Sequence, residues 1–331
     1  MNSLPVPPSL RFIQRDWLSC NQIVCFDGEA ADRHATLIDT GYGKHAAQTL
    51  ALVSHVLAGA GLPIGALRHI LNTHLHSDHC GGNALLAHAS GARVRVPLAE
   101  FDVVREWDES RLTYRGTGQR CERYEVDGAI APGEWLRLGG LDWQALAAPG
   151  HDPHSLILHC PREQLLISAD ALWENGFGII FPELSGDSGF REQHEVLELI
   201  AALPVRTVLP GHGRIFHDVP QAVQRARDRL AALRADPRRN ARNSIKALVK
   251  FLMLEFEQLA LARLIEITAN ASIMHGAADQ LGMTLEQALR WAADELLAQG
   301  QLARAANGDL INAEPGAPAP GLPHKATGDE P

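Results

Sequence analysis

The chain is poor in several things that would place it elsewhere. It has only five cysteines in 331 residues (Cys20, Cys25, Cys80, Cys121 and Cys160), an odd and scattered set that forms no paired framework. That argues against a disulfide-stapled secreted domain and for free thiols in a reducing compartment, so the expected location is the cytoplasm. No apolar run is long enough to span a bilayer, and no membrane association is expected. The opening Met1-Asn2-Ser3-Leu4-Pro5-Val6-Pro7-Pro8 has neither a basic region nor an apolar stretch, so no secretory leader is expected. Positive charge is also in deficit. Thirty Lys and Arg against 39 Asp and Glu give a formal net charge of −9. A field of that sign repels polyanions and disfavours nucleic acid as a partner. No internal repeat is visible.

What remains is ordinary globular composition, 46% hydrophobic and 21% charged, long enough for one large domain and a smaller one. After a Pro-rich arm (1–11), strand formers from Phe12 to Phe26 end at Asp27-Gly28. A second strand, Ala35 to Thr40, leads into a helical pattern from His45 to Leu57. Leu67 to Asn72 reads as a short strand, Asn83 to Ala89 as a helix and Arg93 to Val96 as a strand. Leu98 to Trp107 reads as helix and Arg111 to Arg123 as loop. β runs follow at Trp135–Leu138, Leu141–Ala147, Leu156–His159, Leu165–Ser168 and Thr207–Leu209, with a helix at Phe190–Leu203. This order predicts two mixed sheets with helices outside, a layered α/β fold over residues 12–220. Beyond it, Gln221 to Arg234 reads as a charged helix broken at Asp236-Pro237. Ser244 to Asn270 and Leu285 to Leu296 carry apolar stripes at helical spacing, and a hairpin turn falls at Asn307-Gly308. Residues 221–313 are therefore expected to form a helical, winged-helix-like domain, and the Pro-, Gly- and Ala-rich 314–331 a disordered tail.

The densest chemistry lies in Thr73-His74-Leu75-His76-Ser77-Asp78-His79-Cys80-Gly81-Gly82. Imidazole and carboxylate are metal ligands, and four such groups in a glycine-bounded loop can converge on one small volume. A polar surface loop rich in histidine is the plain alternative. Three later segments also end short β runs with a candidate ligand: Pro149-Gly150-His151-Asp152-Pro153-His154, Ser168-Ala169-Asp170-Ala171 and Pro210-Gly211-His212-Gly213.

In this combination and order the four motifs resemble those of the metallo-β-lactamase-fold hydrolases, most nearly the glyoxalase II, ribonuclease Z and lactonase type. The resemblance covers about residues 12 to 220. It implies a four-layer αββα sandwich with a dinuclear site at one sheet edge. It implies His74, His76 and His151 on one metal, Asp78, His79 and His212 on the other, and Asp170 bridging them. Two divalent ions are then expected, zinc for preference, though iron or manganese suit the same donors. A hydroxide between them would attack a small ester, thioester or lactone carbonyl, with Asp78 and Asp170 as the carboxylates nearest the chemistry. The true β-lactamases of this fold use a cysteine where Asp170 stands, which argues against antibiotic hydrolysis. A phosphodiesterase or nuclease, a regulatory protein with residual activity, and a mononuclear iron dioxygenase are the alternatives.

Other residues stay open at this stage. His154 is read either as supporting the site or as surface. Cys80 is read as packed rather than ligating, Asp39 as a structural turn residue, and the remaining histidines as ordinary. Leu172 to Phe181 is a substrate-facing wall or core. The arginines from Arg225 to Arg242 form a solvated face or a basic patch. The C-terminal appendage resembles those that pack beside the active site or make a dimer contact, so a homodimer is an open option.

Overall fold

A computed structural model describes residues 6–16 and 18–313. Two sheets form its centre. The first has six strands in sequence order, β1 (Leu10–Ile13), β2 (Gln22–Asp27), β3 (His34–Ile38), β4 (Leu67–Leu71), β5 (Arg93–Pro97) and β6 (Gly128–Ile130). β1, β2 and β3 pair antiparallel, and β3 to β6 run parallel. The second sheet comprises β7 (Trp135–Leu138), β8 (Leu141–Ala147), β9 (Leu156–Cys160), β10 (Leu165–Ala169) and β11 (Thr207–Pro210), in the order β11-β10-β9-β8-β7.

Strand periodicity sorts the side chains into layers, since successive residues face opposite sides. Ile23 and Cys25 of β2 point inward with Leu71, Trp143, Leu158, Leu165 and Ile167, filling the space between the sheets. Val24 and Phe26 point outward against α1 (Ala46–Gly59), through Val53 and Leu57. The same outer layer takes α2 (Ser77–Cys80), α3 (Asn83–Ser90), α4 (Phe101–Glu106) and α5 (Thr113–Thr117), with Cys80, Leu86, Val103, Val104 and Tyr114 buried in it. Leu166 and Val208 of the second sheet face α6 (Phe190–Ala202) and α7 (Val219–Ala235). The expected helix–sheet–sheet–helix layering is thus present.

Three local expectations change. The run from Phe12 to Phe26 is not one strand but β1 and β2 with a loop between them. Within Arg111–Arg123, read as loop, Thr113–Thr117 makes a short helix. The stretch read as one helix from Ser244 to Asn270 is divided: α8 (Arg238–Phe256) ends at Glu257, whose φ of +62° turns the chain out of the helix. β12 (Gln258–Leu259) follows, then α9 (Leu261–Thr268).

α10 (Ser272–Leu281), α11 (Leu285–Ala298), β13 (Leu302–Arg304) and β14 (Leu310–Asn312) complete the C-terminal region. Its helices share one core, with Ile245, Leu248, Val249 and Leu252 of α8 on a single face. A Thr284–Gln287 capping box starts α11. The hairpin turns at Asn307-Gly308, and β14 lies between β12 and β13. α7 lies within the stretch 221–313 expected as the second domain, yet Ala222, Val223, Ala226 and Leu230 pack with the second sheet. The change of core falls at Asp236-Pro237, between α7 and α8. The stretch 314–331 lies outside the described residues.

Candidate metal centre

Strand pairing brings the four motifs to one edge. β3 and β4 are parallel and in register at Ile38 and Leu71, so Asp39 and the Thr73–Gly82 loop leave the first sheet side by side. β10 and β11 are parallel with Ala169 opposite Pro210, which sets Asp170 beside Gly211 and His212. β9 runs antiparallel to both β8 and β10, so the β8–β9 turn carrying His151 opens at the end where β10 finishes. The two sheets are joined there by Leu156 N–H donating to Thr73 O at 2.8 Å. Loops at the carboxyl ends of parallel strands are where such sheets build sites.

The structure brings all seven expected side chains together, each buried or nearly so. His74 Nε2 lies 3.1 Å from His76 Nδ1, which lies 2.8 Å from His151 Nε2. The opposite ring nitrogens of all three are engaged elsewhere. His74 Nδ1 meets Thr73 Oγ1 at 3.1 Å, and that hydroxyl donates to Asp39 Oδ2 at 2.8 Å. His76 Nε2 lies 3.5 Å from Asp152 Oδ2, and His151 Nδ1 donates to Ile179 O. These partners leave three nitrogen lone pairs facing one point, an arrangement that repels itself without a cation. Burial, then the neighbouring imidazoles, hold His74 well below the ordinary histidine range. Burial and His151 bring His76 down to about 4, so both are in the neutral, ligating form at neutral pH.

A second group stands beside the first. His212 Nε2 is 3.1 Å from Asp78 Oδ2, and Asp78, His79 and His212 converge. His79 Nδ1 donates to Asp39 Oδ2 at 2.8 Å. Its Nε2 is buried and makes no hydrogen bond, although Asp170 Oδ1 is 3.3 Å away and Asp78 Oδ2 3.8 Å. A buried nitrogen in that state costs about 1–3 kcal/mol, and a cation seated between it and the carboxylates removes the cost. Burial alone would raise the Asp170 carboxyl, but His212, His79 and His151 hold it well below the usual range. Asp170 reaches both groups: Oδ2 lies 3.4 Å from His151 Nε2 and 3.7 Å from His212 Nε2. The residues present fit two divalent ions. The donors are five imidazole nitrogens and two carboxylates, a set suited to zinc and its neighbours.

Close backbone approach shapes the site. A Cβ on Gly211 would run into Asp170 Oδ1 and the Ala169 backbone, and one on Gly178 would overlap the His151 ring. These two positions need glycine for space.

Several contributors carried no sequence signal. Asp39 was read as structural, a residue at a turn and behind the ligands. It accepts from Thr73 N, Thr73 Oγ1 and His79 Nδ1 and so fixes two motif residues at once. Asp152 supports His76, whereas His154 is exposed and its side chain makes no contact with the centre. Asn21 pins the His212 turn by donating to Pro210 O and Gly213 O, each at 2.9 Å. Cys20 sits beside Asp39 and His79, close enough to be a further ligand atom. Cys80 is packed against the carbonyls of Leu75 and His76 and against Tyr114. The segment after Asp170 divides in two. Leu172, Phe177 and Ile180 are core, while Trp173, Gly178, Ile179 and Phe181 line the cleft over the centre.

Replacing Asp39 with alanine is expected to weaken metal affinity about ten- to a hundred-fold, the usual cost of losing a partner that orients a ligand. Competition with a chromophoric chelator measures it, and unchanged affinity would show that His79 keeps its orientation unaided.

The chain belongs to the metallo-beta-lactamase superfamily, whose family model matches residues 16–212. Among its relatives is a hydroxyacylglutathione hydrolase of Rhodobacter capsulatus, 34% identical over 147 residues, 44% of this chain and 48% of that protein. Another of that name, from Pseudomonas entomophila, is 30% identical over 224 residues, 63% and 72% of the two chains. An atrochrysone carboxyl ACP thioesterase of Aspergillus fumigatus is 26% identical over 57% of this chain and 37% of that protein. The chain spans about half the length of the first of these relatives. In fold it is similar to a metallo-beta-lactamase family protein of Thermus thermophilus, with a TM-score of 0.55 at 20% identity, over 93% of this chain and 99% of that one. The FEZ-1 metallo-beta-lactamase of Legionella gormanii gives 0.54 at 13% identity over 68% of this chain and 92% of that one. The first likeness extends through the C-terminal helices.

Proposed function

We propose that this chain is a dinuclear metal-dependent hydrolase of small thioesters or related esters. The observation that carries the reading is the reach of Asp170 to both ligand groups. Two bound divalent ions would supply a hydroxide near neutral pH and polarise the carbonyl under attack. The protein's own part is to hold the ligands before they are needed. Asp39, Thr73, Asp152 and Ile179 O fix the imidazole tautomers, and burial keeps His74 and His76 unprotonated.

The cleft above the centre supports a slender substrate. It holds about 80 Å³ and is walled by Leu18, Trp173, Ile179, Phe181, Leu248 and Phe251, the last two from the C-terminal helix α8. Phe251 is anchored in turn on Tyr42, rings 5.5 Å apart. Apolar walls with a few convergent polar groups suit a short acyl chain. A nucleic-acid strand needs an open basic groove. The names of the relatives joined to this chain, hydroxyacylglutathione hydrolase and ACP thioesterase, favour thioesters over other acyl compounds. All five cysteines are free thiols, which supports a reducing compartment such as the cytoplasm. No helix among the described residues is long and apolar enough to cross a membrane.

Elemental analysis of the purified protein beside a hydrolysis screen of thioesters, lactones and phosphodiesters tests the reading. Two metals per chain with thioester turnover are expected. One iron with oxygen consumption, or cleavage of phosphodiesters alone, would overturn it.

A further inference from the structure

Beyond Trp173 the cleft opens into a second chamber of about 300 Å³. Trp173, Ile179 and Ala247 line both, so the two spaces adjoin. Trp173 itself is fixed at the metal centre, its Nε1 donating to Asp170 Oδ1 at 3.2 Å and its ring 5.2 Å from that of His212. The chamber is lined by Arg229 of α7 and Lys246 and Asn243 of α8, and among the described residues no carboxylate lines it.

Arg229 is unlike its neighbours. Arg225 donates to Glu174 O, Arg227 makes a two-pronged pair with Glu198, and Arg239 and Arg242 reach Asp236. Those arginines are a solvated, paired face. Arg229 is half-buried, and its guanidinium has neither a hydrogen-bond acceptor nor an acidic partner among the described residues. It lies over the Phe177 ring, 4.8 Å from the centroid. Cation–π stacking offsets only part of the cost of desolvating such a charge, and burial depresses its pKa. The N–H groups of a guanidinium form a planar fork that matches carboxylate or phosphate.

We propose that the chamber is an anion subsite, in which Arg229 and Lys246 take a carboxylate or phosphate on the part of the substrate remote from the hydrolysed bond. As a statement about substrate, it rests on the hydrolase reading above. The metal centre selects the carbonyl, and the chamber selects what the acyl group is attached to. The chemistry fits thiol carriers ending in a carboxylate or a phosphate and disfavours neutral thiols.

Binding is tested without turnover, by titration calorimetry on the metal-loaded full chain. The probes are S-methylglutathione (carboxylates), S-methyl-4′-phosphopantetheine (phosphate) and S-methylpantetheine (neutral). One charged probe is expected to bind about ten- to a hundred-fold more tightly than the neutral one, as charge-assisted hydrogen bonds give. Which one does so identifies the source of the anion. Arg229→Met and Lys246→Met should each reduce that preference. Lys246 is only half-buried, so its variant serves if Arg229→Met does not fold. Equal binding of all three probes, or a preference that survives both substitutions, overturns the proposal. Hydrolysis of neutral thioesters without a charge preference would sink the subsite alone. A charge preference without any thioester hydrolysis would support the subsite and sink the hydrolase reading alone.

Discussion

Asp170→Ala is expected to lower kcat/KM for a thioester about a thousand-fold, the several kcal/mol that a well-held metal contributes to a transition state. The argument is geometric. Asp170 is the one side chain whose two oxygens reach His79 on one side and His151 and His212 on the other, at 3.3, 3.4 and 3.7 Å. With two divalent ions bound, its removal would take away a negative charge and a ligand that both ligand groups share. It also frees Trp173 Nε1, which uses Asp170 Oδ1 as its acceptor. Elemental analysis should therefore show less than two metals per chain, in step with the lost turnover. Asp170→Asn separates charge from shape, because the amide keeps the size and loses the charge. Near-normal turnover in Asp170→Asn with two metals retained would show that the carboxylate does not bridge.

The site was more legible in the sequence than its supports. Metal ligands come from a short chemical menu, and all four motifs sit where a β run stops, a boundary that alternation and glycine mark without tertiary information. The cluster from His74 to His79 is local, so its spacing alone signals convergence. The supporting residues are different. Asp39 acts on residues 34 and 40 positions away, and Asn21 on a turn some 190 positions away. An aspartate after a strand or an asparagine in a loop looks like any other until the sheets are assembled. The same limit hid the end of α8, because Glu257 adopts a left-handed conformation without the glycine that would announce it. The apolar positions of α7 were periodic, but periodicity does not say which surface a helical face will meet. Arg229 was visible only as one arginine in a basic run. Its isolation is a property of where the carboxylates of other elements fall.

Stripping the metals with a chelator is expected to lower the melting temperature, and returning zinc should restore it. Three of the seven ligands are set in place by bonds that do not need an ion: Asp39 to His79, Thr73 to His74, Ile179 O to His151. The empty arrangement would keep three imidazole lone pairs pointed at one another and a buried His79 Nε2 without a hydrogen bond. A cation relieves both, and an unfolded chain offers it no comparable site. Free metal at a thousand times its dissociation constant stabilises the folded form by about 4 kcal/mol per ion. For a chain of this length the entropy of unfolding turns that into roughly 6 °C per ion. The Thr73–Gly82 loop should feel the loss most. Its four-residue helix α2 carries two ligands and the packed Cys80, and Asn72, which accepts from Asn83, donates to the His79 carbonyl behind it. Amide exchange in residues 73–82 should accelerate on metal removal while β10 and β11 stay protected. Superimposable melting curves with and without metal would mean that the cluster is held by protein contacts alone, and that its convergence is not maintained by an ion.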